Sequence, residues 1–175
     1  MKRIGLLRHA KSDWSDSDKR DFDRGLNERG RRGARLIGRH IAQEGTRWQA
    51  IRASSAERVR RTVEQALPGA EIAFDDRLYL ASAETLLERV HALPEEAEAA
   101  LLVAHNPGLQ DFILRLVAPA RENALFDEAK VKFPTASFAV LELPADEWAD
   151  VTEESGTLVH FTRPRDLDPE LGPEE

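Results

Sequence analysis

Short apolar runs alternate with stretches of helical periodicity along most of this chain, and this alternation restricts the fold more than any other feature of the sequence. Parallel strands need a crossover connection, usually a helix, so strands that alternate with helices are typical of an α/β sheet. The sequence therefore predicts an α/β fold of three layers, in which helices cover both faces of a mostly parallel central sheet. The apolar runs are residues 4–7, 50–53, 72–74, 101–104 and 137–143.

Residues that cap helices well mark where the helices are expected to begin. Asn27, Ser55, Ser82 and Asn106 each precede a stretch of helical pattern, and their side chains can accept a hydrogen bond from a free N–H of the first turn. Pro107 has the fixed φ that suits the first helical position. The predicted helices are Leu26–Glu44, Ala56–Leu67, Ser82–Ala92 and Asn106–Val117, and an edge strand is predicted over Val159–Phe161.

Length and composition indicate one domain. The chain has 175 residues, of which 41% are hydrophobic and 33% charged. We expect the domain to cover residues 1–163 and to be followed by an acidic, flexible tail over residues 164–175. The absence of Cys excludes disulfides, thiolate metal sites and a Cys nucleophile. No apolar stretch approaches the roughly 20 residues of a membrane span, so we expect a cytoplasmic protein without a membrane partner.

The charge pattern restricts the partners. A formal net charge of −7 argues against nucleic-acid binding, which depends mainly on Lys and Arg that neutralise phosphates. The charge is uneven, because Lys19–Arg39 is basic and Glu142–Glu175 is mostly acidic. We interpret the basic stretch as the solvated face of a helix, and a docking surface for an acidic partner is the alternative.

Cationic and polar side chains follow three of the predicted strands. Arg8 and His9 follow the first, Ser54-Ser55 follow the second with Arg58 in the next helical turn, and His105 follows the fourth. The carboxyl ends of parallel strands meet at one edge of a sheet, together with the N–H groups of the helices that follow. Arg offers a planar fork that matches phosphate oxygens. The sequence therefore predicts a site for a phosphoryl dianion.

The residues alone leave alternatives open. An Arg-His pair can be a solvated strand end, and His105 can be a core histidine. Arg60 and Arg61 compete with Arg58 for a place in the site. No histidine has the spacing of a metal ligand, so neither a metal nor another cofactor is predicted. Three further histidines are interpreted as surface or packing residues, namely His40, His91 and His160.

The order and spacing of these motifs over residues 2–118 resemble the histidine phosphatase superfamily, which includes phosphoglycerate mutases and phosphohistidine phosphatases of the SixA type. The Arg-His-Gly hallmark of the superfamily appears here as Arg8-His9-Ala10. The resemblance implies a phosphoglycerate mutase-like fold. The other matched motif positions are Leu26, Gly30, Ala34, Ser54, Ala56, Arg58, Thr62 and His105.

The resemblance also implies that His9 is the nucleophile and is transiently phosphorylated on a ring nitrogen. A neutral imidazole is a good nucleophile near pH 7, since its unperturbed pKa is about 6.5. A covalent intermediate replaces one difficult step with two easier ones. The remaining predicted site residues, which would hold the phosphoryl group or the substrate, are Arg8, Arg58, His105, Asn106 and Ser12.

Two departures from the superfamily pattern bear on the substrate. Ala10 replaces the usual Gly and is followed by Lys11-Ser12, a form typical of the SixA-like branch. The mutase branch has a general-acid Glu where this sequence has Leu80, which favours a leaving group that needs little protonation. The contributions of Lys11, Ser12 and Asp13 stay open. Other residues that could donate the proton are Asp75, Asp76 and Glu84.

Together these features predict a phosphatase that removes phosphoryl groups from phosphohistidine on proteins. A small-molecule phosphomonoesterase of the same superfamily is the alternative within enzymes. A phosphate-binding module without catalysis is the alternative outside them, and it fits less well because mere binding does not need a nucleophile. The expected partner is therefore a phosphoprotein or a small phosphorylated substrate.

Overall fold

The computed structural model describes residues 1–172 and forms one sheet of six strands. The strands are β1 (Lys2–Arg8), β2 (Ala50–Ala53), β3 (Ala73–Phe74), β4 (Ala99–Ala104), β5 (Phe138–Leu143) and β6 (Thr157–Thr162). Their order across the sheet is β3-β2-β4-β1-β5-β6. The first four strands in that order are parallel, whereas β5 and β6 pair antiparallel. The prediction of a mostly parallel sheet is confirmed.

Helices cover both faces of this sheet, as predicted. One face carries α1 (Glu28–Glu44) and α2 (Glu57–Ala66), and the other carries α3 (Ala83–His91), α4 (Gly108–Leu116) and α5 (Ala124–Val131). The predicted three-layer architecture is therefore confirmed. The sequence analysis missed α5, in which only Phe126 and Ala129 are buried. None of the helices in residues 1–172 is long and apolar enough to cross a membrane.

The two central strands are buried on both sides. Every residue of β4 is buried. In β1, Ile4 and Leu6 pack into the core under α3 and α4, whereas Leu7 packs into the core under α1 and α2. Strands covered on both faces need apolar residues on both faces, which is why these segments show no alternation. The residues that follow β1 and β4 are thus held by fully packed strands.

Two of the four predicted helix caps are present. The Asn27 side chain accepts a hydrogen bond from the Gly30 N–H at 2.7 Å, and Ser82 accepts one from the Thr85 N–H at 3.2 Å. The prediction for Ser55 is wrong, because its hydroxyl bonds to the Asp76 carboxylate and α2 begins two residues later at Glu57.

The start of α4 also differs from the prediction. The helix begins at Gly108, and Pro107 precedes it instead of opening it. The Asn106 side chain still accepts a hydrogen bond, at 3.2 Å, but from the N–H of Gln110. Gly108 is required at this position, since a Cβ there would lie 1.9 Å from the carbonyl oxygen of Ala81. The close approach of α4 to Ala81 therefore decides where the helix starts.

A glycine also fixes the segment that follows β1. A Cβ on Gly30 would lie 2.1 Å from the carbonyl oxygen of Lys11. The N–H of Asn27 donates to that same carbonyl oxygen at 3.1 Å. Only a residue without a side chain lets α1 pack this closely on the backbone after His9. This contact gives the superfamily glycine at this position a physical reason.

The flexible tail predicted from residue 164 is wrong for residues 164–172. Pro164–Leu167 forms a short helix, α6, beside α1, and Pro169–Leu171 forms a further helical turn. Arg32 of α1 pairs with Asp168 and, at 2.9 Å, with Glu170. The acidic composition that suggested disorder instead provides partners for the basic face of α1. The last part of the predicted tail, residues 173–175, lies outside the described residues.

The three histidines outside the predicted site make structural contacts. The Nε2 atoms of His40 and His160 lie 2.8 Å apart, so one ring donates to the other. Burial, and then the neighbouring His40, lower the pKa of His160. His91 donates from Nε2 to the carbonyl oxygen of Val151 at 2.8 Å.

Candidate active site

The sheet order brings three strand ends together. β2, β4 and β1 are neighbours, and Ala53 pairs with Val103 while Arg8 pairs with Ala104. The residues that follow these pairs, Ser54, His105 and His9, therefore lie side by side at the carboxyl edge of the sheet. The ring centroids of His9 and His105 are 5.3 Å apart.

His9 is held in the form that a nucleophile needs. Its Nδ1 lies 2.8 Å from the carbonyl oxygen of Ala10. A carbonyl only accepts hydrogen bonds, so this contact assigns the proton to Nδ1 and leaves a lone pair on Nε2. Burial holds the pKa of His9 well below 6.5, and nearby His105, Arg8 and Arg58 lower it further, against the hydrogen bond to Ala10, which raises it.

A buried threonine on α2 fixes the peptide that orients His9. The hydroxyl oxygen of Thr62 accepts a hydrogen bond from the Ala10 N–H at 2.9 Å, and the same hydroxyl donates to the Arg58 carbonyl oxygen at 2.7 Å. Thr62 is fully buried. Both ends of the Ala10 residue are thus engaged, one by Thr62 and the other by the His9 ring.

His105 is neutral for similar reasons. Its Nε2 lies 2.8 Å from the hydroxyl oxygen of Ser54, and its Nδ1 accepts a hydrogen bond from Arg58 at 3.4 Å. Since Arg58 can only donate, the ring proton lies on Nε2. Burial, and then the Arg58 charge, lower the pKa of His105 to about 3.

We therefore expect both histidines to stay neutral below the pH at which an ordinary imidazole becomes protonated. In an NMR titration of the imidazole signals, His9 should titrate below pH 6.5 and His105 near pH 3. For attack by neutral His9, which the superfamily resemblance implies, the supply of this form should not limit kcat/KM as the pH falls from 7.5 to about 6. The spectra of His9→Gln and His105→Gln assign the signals. A His9 midpoint at or above the unperturbed value of about 6.5 would contradict this expectation.

Arg8 presents a buried donor without a partner. One terminal nitrogen donates to the Phe133 carbonyl oxygen at 3.1 Å, whereas Nε is buried and makes no hydrogen bond within the described residues. Burial, and then the charge of Arg58, lower the pKa of Arg8. A buried guanidinium N–H without an acceptor is costly unless a ligand satisfies it. This donor fits an anionic oxygen.

Asn106 shares a hydrogen-bond acceptor with Arg8. Its amide nitrogen donates to the Phe133 carbonyl oxygen at 3.0 Å, the same oxygen that Arg8 contacts, and its amide oxygen accepts from Gln110. Both ends of the amide are engaged within the protein. The proposal that Asn106 binds substrate would therefore require this amide to exchange partners.

Arg58 is the buried cation of the site and has a partner that the sequence analysis missed. Its terminal nitrogens donate to the backbone oxygen of Asp21 at 2.8 Å and to the Asp21 carboxylate at 3.0 Å. Tyr79 donates its hydroxyl proton to the same carboxylate at 2.5 Å, and its ring packs edge-on against His105. Asp21 and Tyr79 therefore fix both Arg58 and one wall of the site.

Asp21 is an ionised acceptor. Burial raises its pKa, but the hydrogen bonds from Tyr79 and Arg58 outweigh burial, so that the pKa lies below its usual range. A carboxylate in this state accepts protons poorly and cannot donate one. Asp21 lies in a helical turn, Asp21–Asp23, within the long connection between β1 and α1, where no periodicity in the sequence marks it.

Replacing Asp21 by Asn should lower kcat/KM by up to about 10²-fold, because the Arg58 guanidinium loses its charged support and shifts. Asp21→Glu should recover part of the activity, and Tyr79→Phe should have a smaller effect since it removes one hydrogen bond. Steady-state kinetics on an aryl phosphate measure all three variants. Wild-type activity in Asp21→Asn would show that Arg58 needs no such support.

The other candidates after His9 have mainly backbone roles. Ser12 pairs through its backbone with Leu26, and its carbonyl oxygen accepts a hydrogen bond from Asn27 at 3.2 Å. Asp13 accepts a hydrogen bond from the N–H of Ser15 at 2.9 Å. Substrate binding by Ser12 stays a prediction.

Two of the three candidate proton donors are engaged elsewhere, and the third is exposed. Asp75 forms an ion pair with Arg89 at 2.8 Å, Asp76 accepts from Ser55, and Glu84 is exposed in the first turn of α3. Leu80, where the mutase branch has its acid, is 55% exposed and has a φ of 51°. Among the described residues, no hydrogen bond or ion pair joins the side chains of Asp75, Asp76 or Glu84 to His9 or His105. Within residues 1–172, no three His, Cys, Asp or Glu side chains group as a metal site requires.

Known proteins are similar to this chain in sequence and in fold. Residues 4–79 match the model of the histidine phosphatase superfamily, branch 1. An uncharacterized protein of Mycobacterium leprae is 32% identical over 162 residues, which are 91% of this chain and 100% of that protein. A candidate phosphohistidine phosphatase SixA from Agrobacterium tumefaciens is 33% identical, with a TM-score of 0.73 over 92% of this chain and 97% of that one. The chain belongs to the histidine phosphatase superfamily.

A second structure narrows the position of the chain within the histidine phosphatase superfamily. A candidate SixA from Nakamurella multipartitia is 27% identical and has a TM-score of 0.80 over 93% of this chain and 96% of that chain. The chain thus lies in the SixA-like branch of the superfamily, which supports phosphatase activity. The family match over residues 4–79 includes Arg8, His9 and Arg58. His105 lies beyond it, and the pairing of β4 with β1 brings this residue into the site.

Proposed function

We propose that this protein is a phosphatase that removes the phosphoryl group from phosphohistidine on proteins, through a phosphohistidine intermediate on Nε2 of His9. The observation that carries the proposal is the state of His9. Its Nδ1–H is bound to the Ala10 carbonyl oxygen, and its Nε2 keeps a lone pair beside two guanidiniums and a second imidazole. This arrangement supports attack by Nε2 on the phosphorus of a bound phosphoryl group.

The two steps balance without an added proton donor. In the first, Nε2 of His9 forms a bond to phosphorus while the bond from phosphorus to the substrate imidazole breaks. A substrate phosphohistidine that is protonated on its other ring nitrogen leaves as neutral imidazole. In the second, water attacks phosphorus, and His9 leaves as a neutral imidazole whose proton remains on Nδ1, hydrogen-bonded to the Ala10 carbonyl oxygen, while the water proton goes to solvent. Arg8 and Arg58 stabilise the charge on the equatorial oxygens in both steps.

The placement of the acidic residues supports phosphohistidine over an alkyl ester. An alkoxide is a poor leaving group and needs a proton donor, which typically contributes 10²–10⁴-fold. Asp21, the carboxylate in contact with Arg58, is ionised, and Asp75 is paired with Arg89. A small-molecule phosphomonoesterase with Asp75, Asp76 or Glu84 as acid is the second candidate, and it would need one of these side chains to move.

We therefore expect the rate to fall steeply from phosphohistidine or aryl phosphate to alkyl phosphate. Single-turnover rates on a phosphohistidine peptide, a matched series of aryl phosphates and an alkyl phosphate measure this dependence, with His9→Ala as the blank. Rates that do not depend on the leaving group would show that a residue of the protein already donates the proton. Binding of phosphopeptide without turnover would instead support the phosphate-binding module.

A further inference from the structure

A small cavity with a strongly basic lining opens beside the catalytic site. Its volume is about 230 Å³. No acidic side chain lines it in the part of the chain that the structure describes, and the other lining residues are small, apolar or Thr. We call it the basic cavity. Its cationic lining residues are Arg8, Lys11, Arg29, Lys132, Arg163 and Arg165.

Arg8 joins the basic cavity to the phosphoryl site. This residue lines the cavity, and it is also the last residue of β1, directly before His9. Its buried Nε has no acceptor among the described residues. An anion in the cavity and a phosphoryl group at His9 would therefore both lie beside the Arg8 guanidinium.

Two of the other cations that line the cavity are not neutralised by an ion pair within the described residues. Arg163 pairs with Asp166 at 2.9 Å, and Arg29 donates to the Gly172 carbonyl oxygen. Lys132, at the end of α5, and Arg165, in α6, form no ion pair within residues 1–172. Like charges this close repel one another, so their convergence in a protein with a net charge of −7 indicates an anionic ligand.

The size of the cavity restricts that ligand. Sites for drug-sized molecules and cofactors usually have volumes of roughly 300–1,000 Å³, and the basic cavity, at about 230 Å³, is smaller. It suits one side chain, and carboxylates match guanidinium and ammonium groups. A protein substrate offers such a side chain at a fixed distance from its phosphohistidine.

We propose that the basic cavity binds an acidic side chain that flanks the phosphohistidine of the protein substrate. This inference rests on the proposed function, because it assumes a protein substrate. It adds a specificity site to the reaction: the phosphoryl group binds between Arg8 and Arg58, and the neighbouring carboxylate binds towards Lys132 and Arg165. Substrates with acidic residues beside the phosphohistidine are then preferred over neutral ones.

The test compares two phosphohistidine peptides that differ only in flanking Glu or Gln residues. The parent enzyme should hydrolyse the Glu peptide with a kcat/KM roughly five- to tenfold higher, the scale of one or two partly exposed charge pairs, and salt should reduce this preference. The double variant Lys132→Ala/Arg165→Ala should lose the preference while its rate on an aryl phosphate stays at the parent level.

Matched controls separate this effect from a general change of charge. Lys130→Ala removes a lysine two positions away on α5 that does not line the cavity, and Arg47→Ala removes an exposed arginine elsewhere. Both controls should keep the preference for the Glu peptide. A control variant that also loses it would overturn the proposal, since the effect would then be non-specific. Circular dichroism of the double variant checks that it is folded.

The outcomes distinguish this inference from the proposed function. Equal rates on the Glu and Gln peptides would overturn the basic cavity as a specificity site and leave phosphohistidine hydrolysis intact. If neither peptide is hydrolysed while small phosphate esters are turned over well, both the proposed function and this inference are overturned. A third outcome is a preference for a small bisphosphorylated ester that depends on Lys132 and Arg165, with equal rates on the two peptides. This outcome would also reject an acidic side chain as the occupant of the basic cavity.

Discussion

His9→Ala should abolish turnover and leave the fold intact. The substitution removes the nitrogen that forms the covalent intermediate, so we expect the rate to fall by roughly 10⁴-fold or more, the scale seen when a nucleophile is removed. The fold should survive because β1 and β4 are held by apolar packing on both faces, and within residues 1–172 the His9 ring makes one hydrogen bond, to its own neighbour Ala10. Turnover on an aryl phosphate and the thermal unfolding midpoint measure the two effects.

Trapping of the phosphorylated enzyme makes the assignment specific. Each protein is incubated with a reactive phosphoryl donor and quenched without acid. The parent enzyme should be phosphorylated, His105→Ala should be phosphorylated more slowly, and His9→Ala should not be phosphorylated. His9→Ala with near-parent activity, together with an inactive His105→Ala, would reverse the two roles.

Arg58→Lys should lower kcat by about 10²–10³-fold, which corresponds to about 2.7–4 kcal/mol in the barrier. Lysine keeps the charge but lacks the planar fork, and Arg58 uses that fork to contact both Asp21 and His105. The loss should appear mainly in kcat, because the guanidinium stabilises charge that develops in the transition state. Steady-state kinetics on aryl phosphate measure it.

The neighbouring arginines provide matched controls for this variant. Arg60 donates to the Ser55 carbonyl oxygen at 2.9 Å and packs over the Phe74 ring, and Arg61 pairs with Glu57 and Glu64 on the surface of α2. Arg60→Lys and Arg61→Lys should therefore keep near-parent kinetics. If either of them matches the loss in Arg58→Lys, the selection of Arg58 among the three arginines is wrong.

The centre of the site could be predicted from sequence because it is built on strand ends. The buried runs that end before His9, Ser54 and His105 are short and unbroken, and the register of neighbouring parallel strands leaves little freedom in where the next residue lies. The three-layer fold could be predicted for the same reason. Arg58 could be chosen over its neighbours only through the resemblance, because a helical turn with three arginines has no internal signal.

The parts that could not be predicted depend on long connections. Asp21 reaches Arg58 from the middle of the segment between β1 and α1, whose course is determined by contacts such as Arg24 with the carbonyl oxygens of Asp16 and Lys19. The segment after β6 has a composition typical of disorder, yet it folds where Arg32 binds its acidic residues. In both cases a residue distant in sequence determines the structure of the segment, and the local sequence pattern does not predict that contact.

One turn of α2 contacts two separate parts of the candidate active site. Arg58 and Thr62 are four residues apart on this helix and are tied by a hydrogen bond, so they move as a unit. Arg58 is the proposed ligand of the phosphoryl group, and Thr62 accepts a hydrogen bond from the Ala10 N–H, while the carbonyl oxygen of Ala10 binds the ring of the proposed nucleophile His9. A displacement of α2 would therefore change the position of Arg58 and the orientation of the His9 ring at the same time. The alignment of the proposed nucleophile with the proposed phosphoryl site thus depends on one turn of one helix.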